Sequence, residues 1–286
     1  MTASPGSPEN SYIIDAEASA EMARLLDQDL LITRQMGGLF PERSSQLEGI
    51  HDILDVACGP GGWILNLAAI YPQIEATGID ISVRMIRYAQ THAQVRRLPN
   101  AHFQVMNILE PLAFASQSFD LVNARLLSAV MTPATWPALV REMARVCRPG
   151  GIIRLTETEA PVTTSPAFEK LNSIGLHSAH QGKRCFAPDE RSIGITAALG
   201  KLLREAGCQN IQKKAHVFDF SAEAEDRDGW IQNWLSAYQL SQLFFQKMGL
   251  LTGDEFQVLC QQMVAEMLAD DFGGVLYGLT AWGERV

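Results

Sequence analysis

Ile53-Leu54-Asp55-Val56-Ala57-Cys58-Gly59-Pro60-Gly61-Gly62-Trp63 holds a strand, a tight turn and the start of a helix in one short stretch. Ile53 to Val56 is an apolar run of strand length, and Ala57 to Gly62 is a turn of small residues. Beyond it Trp63, Ile64, Leu67, Ala68 and Ile70 recur at helical spacing. A strand that runs through glycines into a helix N-terminus brings backbone close to a ligand. Glycine presents no Cβ, and the first turn of a helix offers unpaired N–H groups. Ala57-x-Gly59-x-x-Gly62 imitates a dinucleotide fingerprint with alanine in place of its first glycine, while Asp55 and Pro60 are not explained by that fingerprint.

With Asp55 included, the segment resembles the first motif of class I S-adenosylmethionine-dependent methyltransferases, D-x-G-x-G-x-G. Asp55, Gly59 and Gly61 match it, and Ala57 departs at what reads as the least demanding glycine. The resemblance implies a three-layer Rossmann-like α/β sandwich. Its sheet would have seven mostly parallel strands with an antiparallel last one, and its cofactor would be S-adenosyl-L-methionine. That cofactor carries an ammonium and a sulfonium, so a carboxylate beside the turn is electrostatically apt. Cys58, within the turn, reads as a small packing residue.

Glu75 to Ser82 reads as the second strand, with Asp80 at its C-terminal end. An acid at that offset can accept hydrogen bonds from both ribose hydroxyls of a nucleoside. Ile81 would pack on the adenine, and Ser82 has the character of an N-cap for a helix from Val83 to Val95. The third strand, His102 to Met106, ends at Asn107-Ile108. There the resemblance places an acid on the adenine amino group, and an amide oxygen can keep that role. Ser118 to Leu126 resembles the family's fourth strand and puts Asn123 and Arg125 at the edge where open α/β sheets hold ligands. A helix from Pro133 to Cys147, the breakers Arg148-Pro149-Gly150-Gly151 and a strand from Ile152 to Thr156 resemble a further passage of these enzymes.

The flanks complete the expected domain plan. Residues 1–11 are rich in Pro, Ser and Gly and read as a disordered tail. Residues 12–49 form an N-terminal helical cap with a stripe of Ala18, Met22, Leu25, Leu26, Leu30 and Leu31. By the resemblance, Tyr12 covers the methionyl part of the cofactor and Arg34 pairs with its carboxylate. Residues 50–220 and 274–286 make the core, with a loop or lid at about 157–195. Within that lid Glu157, His177 and His180 are the candidate general bases. No metal set is assigned, because His177 and His180 would need further ligands. Ile195 to Ala206 reads as a helix, Ile211 to Phe220 as the sixth strand and Val275 to Trp282 as the last. Residues 221–273 are an insertion with two helical patterns, Asp228 to Met248 and Asp254 to Ala269. Its aromatic residues serve either as cover for the site mouth or as the face of a homo-oligomer.

The chain has 286 residues and a formal charge of −9, with no dense basic stripe, which argues against a nucleic-acid partner. Five dispersed cysteines without a C-x-x-C pair fit a reduced, cytoplasmic setting. No apolar run is of membrane-spanning length. The resulting expectation is methyl transfer to an O, N or C atom of a small organic molecule. The alternatives are a non-methylating cofactor-binding protein, such as a cyclase or partner subunit, and a nicotinamide-dependent oxidoreductase.

Overall fold

A computed structural model describes residue 14, residues 18–42 and residues 47–286. The elements in chain order are α1 (Ser19–Met36), β1 (Asp52–Val56), α2 (Gly62–Ile70), β2 (Glu75–Asp80), α3 (Val83–Val95), β3 (Ala101–Val105) and β4 (Phe119–Arg125). They continue with a 3-10 turn (Leu127–Ala129), α4 (Trp136–Val146), β5 (Cys147–Thr158), β6 (Val162–Thr163) and α5 (Pro166–Gln181). Last come α6 (Ile195–Glu205), β7 (Cys208–Asp219), α7 (Arg227–Lys247), α8 (Gly253–Met267) and β8 (Gly274–Arg285).

The strands form one sheet in the order β3-β2-β1-β4-β5-β8-β6, with β7 also paired to β8. Pairing is parallel from β3 across to β5, and β8 runs antiparallel to β5, β6 and β7. The central strands are apolar on both sides because helices cover both faces. Ile53 of β1 and Leu121 of β4 join one core with Trp63, Ile64 and Phe103. Their neighbours Leu54 and Val122 join the opposite core with Leu139, Val140 and Leu199. The period-two alternation of a strand thus feeds two cores from one short run.

The sheet has eight strands among the described residues, one more than expected. The added strand is the two-residue β6, which takes up the edge of β8 after β5 leaves it: β5 pairs as far as Thr158↔Gly278, and β6 resumes at Val162↔Val275. Pro161 stands in the gap and has no N–H to give a ladder.

Two other segments depart from their sequence reading. The segment expected as a loop or lid contains α5, capped by Ser165, whose side chain accepts from the Phe168 N–H, with Pro166 opening the first turn. Serine followed by proline at a helix start is a recognised signal. On α1 the buried residues are Glu21, Arg24, Ile32 and Met36, whereas Leu30 of the expected apolar stripe is exposed. The inner flank of α1 faces a cavity and α7 in place of a continuous core. An ion pair of Glu21 and Arg24, joined by Asn233 of α7, makes that contact.

Helices α5, α7 and α8 and part of α1 gather over the β7/β8 end of the sheet around a third core containing Phe168, Phe218, Phe220, Trp230 and Phe256. Among the described residues no helix is long and apolar enough to cross a membrane.

Candidate active site

The C-terminal ends of β1, β2 and β4 open onto a cavity of about 440 Å³, roofed by α1. Asp55 is the last residue but one of β1, and the turn after the strand has three residues at positive φ: Ala57 at 57°, Gly59 at 54° and Gly61 at 81°. The two glycines do different work. At Gly59 the nearest atom to an added Cβ would be Leu25 Cδ1 at 3.9 Å, so the backbone there is open to the cavity. At Gly61 a Cβ would stand 2.6 Å from Phe103 Cε1 and 2.9 Å from Ala89 Cβ, so this glycine lets α2 close against α3 and β3. Gly61 is not on the cavity wall among the described residues, while Ala57, Cys58, Gly59, Pro60 and Gly62 are.

Asp80 lies at the end of β2 and faces the cavity. One carboxylate oxygen accepts from the Gly59 N–H and the other from the Ser82 N–H, each at 2.9 Å. Those bonds fix the carboxylate against the glycine turn. Ser82 caps α3 as expected, accepting from the Met85 N–H at 3.1 Å. Ile81, Asn107, Ile108 and Arg125 also line the cavity. The Asn107 amide oxygen accepts from the Leu109 N–H at 3.0 Å, so part of its capacity shapes the turn after β3.

Asn123 is placed differently from its expected position on the wall. It is fully buried within β4, where its amide donates to Asp55 Oδ1 at 2.7 Å and its oxygen accepts from Arg154 at 2.8 Å. Arg154 in turn pairs with Glu42 at 2.5 Å. Burial pushes the Asp55 carboxyl up to about 6, with the Arg125 charge and the Asn123 hydrogen bond acting in the opposite direction. The cysteine of the turn behaves as a packing residue: burial pushes its thiol well up.

Other candidates lie elsewhere. Arg34 is more than half exposed and pairs with Glu225 and Asp226, just ahead of α7. The last turn of α1 points it at that acidic pair and away from the cavity. Tyr12 lies outside the described residues. His177 sits against Glu190 and Gln181, and His180 approaches the Ser192 carbonyl, on the side of α5 that meets the 182–194 loop. Neither histidine is on the cavity wall. Glu157 is completely buried, and its carboxylate accepts from the Leu127 N–H at 2.6 Å and the Ser128 N–H at 3.2 Å. Burial raises its pKa to about 7. Its place is under the 3-10 turn, whose residues Leu127, Ser128 and Ala129 form part of the wall. It shapes the pocket from behind and does not face it.

The cavity retains capacity for a polar ligand. Asp29, Trp63 and Arg125 line it, and Asp29 Oδ2, Trp63 Nε1 and Arg125 Nε are buried without hydrogen-bond partners among the described residues. Sequence reading passed over Asp29, though Arg24, Gln28 and Asp29 are polar residues recurring at helical spacing within α1.

A parallel sheet with a reversed last strand, a glycine turn at the end of β1 and an acid at the end of β2 defines an α/β enzyme built to hold an adenosyl group. Residues 53–151 match the family model for a methyltransferase domain. Demethylmenaquinone methyltransferase of Geobacillus kaustophilus is 27% identical over 183 residues, covering 59% of this chain and 75% of its own length. Phosphoethanolamine N-methyltransferase 3 of Arabidopsis thaliana is 28% identical over 211 residues, covering 69% of this chain and 41% of that protein. Among solved structures, a phosphoethanolamine N-methyltransferase 2 of Haemonchus contortus, in complex with phosphomonomethylethanolamine and S-adenosylhomocysteine, superposes with a TM-score of 0.59. It is 14% identical, and the match covers 99% of this chain and 62% of that one. Residues 53–151 belong to the methyltransferase-domain family, and the fold around them is that of S-adenosylmethionine-dependent methyltransferases.

Proposed function

We propose that the protein transfers a methyl group from S-adenosylmethionine to an O, N or C atom of a small, largely apolar organic molecule that carries no phosphate. The observation behind this reading is the pairing of charge around the cavity. Its two arginines are both engaged, Arg24 with Glu21 and Arg125 with Asp29, and no other Lys or Arg is on the wall among the described residues. Asp55 and Asp80 add negative charge. A phosphorylated acceptor, unlike a zwitterion, would add net negative charge to an acidic pocket whose cations are already paired, which is costly in a partly desolvated site. The remaining wall is apolar, with Ile14, Leu25, Ile32, Leu126, Val130 and Met131. Of the two kinds of relative, the demethylmenaquinone enzymes name the more compatible class of acceptor.

In this reading Asp80 receives the ribose hydroxyls, Ile81 and Ile108 flank the adenine, and the Asn107 amide meets its edge. Gly59 admits the ligand close to the backbone, and Asp55 supplies negative charge below the turn. When bound, S-adenosylmethionine supplies a methyl group on a positively charged sulfur that leaves readily. The chain's contribution is to orient the acceptor in line with that methyl and to exclude water, with the turn held by Glu157 forming part of the acceptor wall.

Incubation with methyl-labelled S-adenosylmethionine tests the acceptor class. One panel would hold neutral phenols and prenylated quinols, the other phosphoethanolamine and its N-methylated forms. Label is expected in the first panel. Transfer only to the phosphorylated amines would overturn the charge argument.

A further inference from the structure

We propose that Asp29 and Arg125 together receive the α-amino-acid end of S-adenosylmethionine, Arg125 taking its carboxylate and Asp29 its ammonium. Asp29 comes from α1 and Arg125 from the C-terminal end of β4, and they form an ion pair across the cavity with each side chain 12% exposed. Thr33 bridges them weakly, accepting from Arg125 at 3.3 Å and donating to Asp29 at 3.4 Å. The guanidinium lies 5.5 Å from the centre of the Trp63 ring, which supports one of its faces.

What marks this pair as a receptor is the pair of atoms it leaves over. Among the described residues Arg125 Nε is a buried donor without an acceptor, and Asp29 Oδ2 is a buried acceptor without a donor. Orphaned buried polar atoms are uncommon because each forgoes its hydration. Here two of opposite sense belong to paired side chains that line one cavity. An α-amino acid is the complementary object, because its carboxylate accepts and its ammonium donates from adjacent positions. Gly62 is part of the arrangement: a Cβ there would fall 2.6 Å from Asp29 Oδ2, so the glycine lets that oxygen lie against the start of α2. The N-terminus of α2 also favours the negative charge. Arg34, which the sequence offered for the carboxylate, is committed to Glu225 and Asp226.

This assignment rests on the cofactor placement proposed above, and the test separates the two. Calorimetric titration would compare S-adenosylhomocysteine with 5′-methylthioadenosine, which keeps the nucleoside and sulfur but lacks the amino acid. It would be run on the wild type, Asp29→Asn and Arg125→Gln. Each substitution is expected to weaken S-adenosylhomocysteine by about tenfold or more, the worth of a charged hydrogen bond, and to leave 5′-methylthioadenosine within about twofold. Equal losses for both ligands, or no loss for either, would overturn the assignment. Should a variant not fold, the wild type alone decides: analogues of S-adenosylhomocysteine lacking only the carboxylate or only the amine should each bind about tenfold more weakly. Analogues binding as tightly as the parent would overturn it. A wild type that binds none of these ligands would overturn the cofactor placement and this assignment with it.

Discussion

Ala57 occupies the left-handed region at φ 57°, at the position where the family motif carries glycine. A Cβ in that region costs roughly 1 kcal/mol or more. The position is therefore more demanding than a tolerated departure from the motif implies. Ala57→Gly relieves that strain but frees the unfolded chain and removes a methyl packed against the core. The expected net effect is a gain of about 0.5 kcal/mol, read from urea denaturation. A fall in stability would show that the packing of the methyl outweighs the strain.

Strands β1, β4 and β5 are tied by side chains as well as by their backbones. Asp55 stands opposite Asn123 in the parallel register, and Asn123 opposite Arg154. The hydrogen bonds from Asp55 through Asn123 to Arg154 therefore run straight across the sheet, ending at Glu42. A slip of either strand would leave buried polar groups unpaired, so this row specifies register. It also gives the molecule a pH response. Burial raises the Asp55 carboxyl from 3.8 to about 6, so the folded chain holds that proton more tightly than the unfolded chain does. Its contribution to stability is complete below about pH 4 and is lost as the pH rises through about 6. Asp55→Asn keeps an acceptor for Asn123 and removes the titration. Relative to this variant, the wild type is expected to lose at most about 3 kcal/mol of stability between pH 4 and pH 8. Parallel stability curves for the two proteins would contradict this account.

At the scale of the molecule, the aromatic core beneath α5, α7 and α8 is continuous with the sheet through β7. Trp230 of α7 is fully buried, its ring centre 6.2 Å from that of Phe218, the penultimate residue of β7, and 5.7 Å from that of Phe220 just beyond β7. Its indole nitrogen has no partner among the described residues, so truncation removes packing without stranding another polar group. Trp230→Ala is expected to cost about 3–5 kcal/mol in chemical denaturation. A cost below about 1 kcal/mol would mean that the helical cap folds independently of the sheet.

The sequence alone determined those features that are written locally. The strand–turn–helix around Gly59, Asp80 at a strand end and the Ser82 cap each depend on residues a few positions apart. Strand and helix periods and the chemistry of glycine, serine and proline carry them. Tertiary structure decided what depends on pairs far apart in the chain. Asn123 read as a wall residue because it ends a strand, yet parallel register put it between Asp55 and Arg154. Glu157 and the two histidines read as bases, yet packing buried the first under the 3-10 turn and set the others against the 182–194 loop. Arg34 and Asp29 share one helix, and only the packing of α1 sent one to the acids before α7 and the other to Arg125. The period of a helix tells which residues share a face; it does not tell what that face will meet.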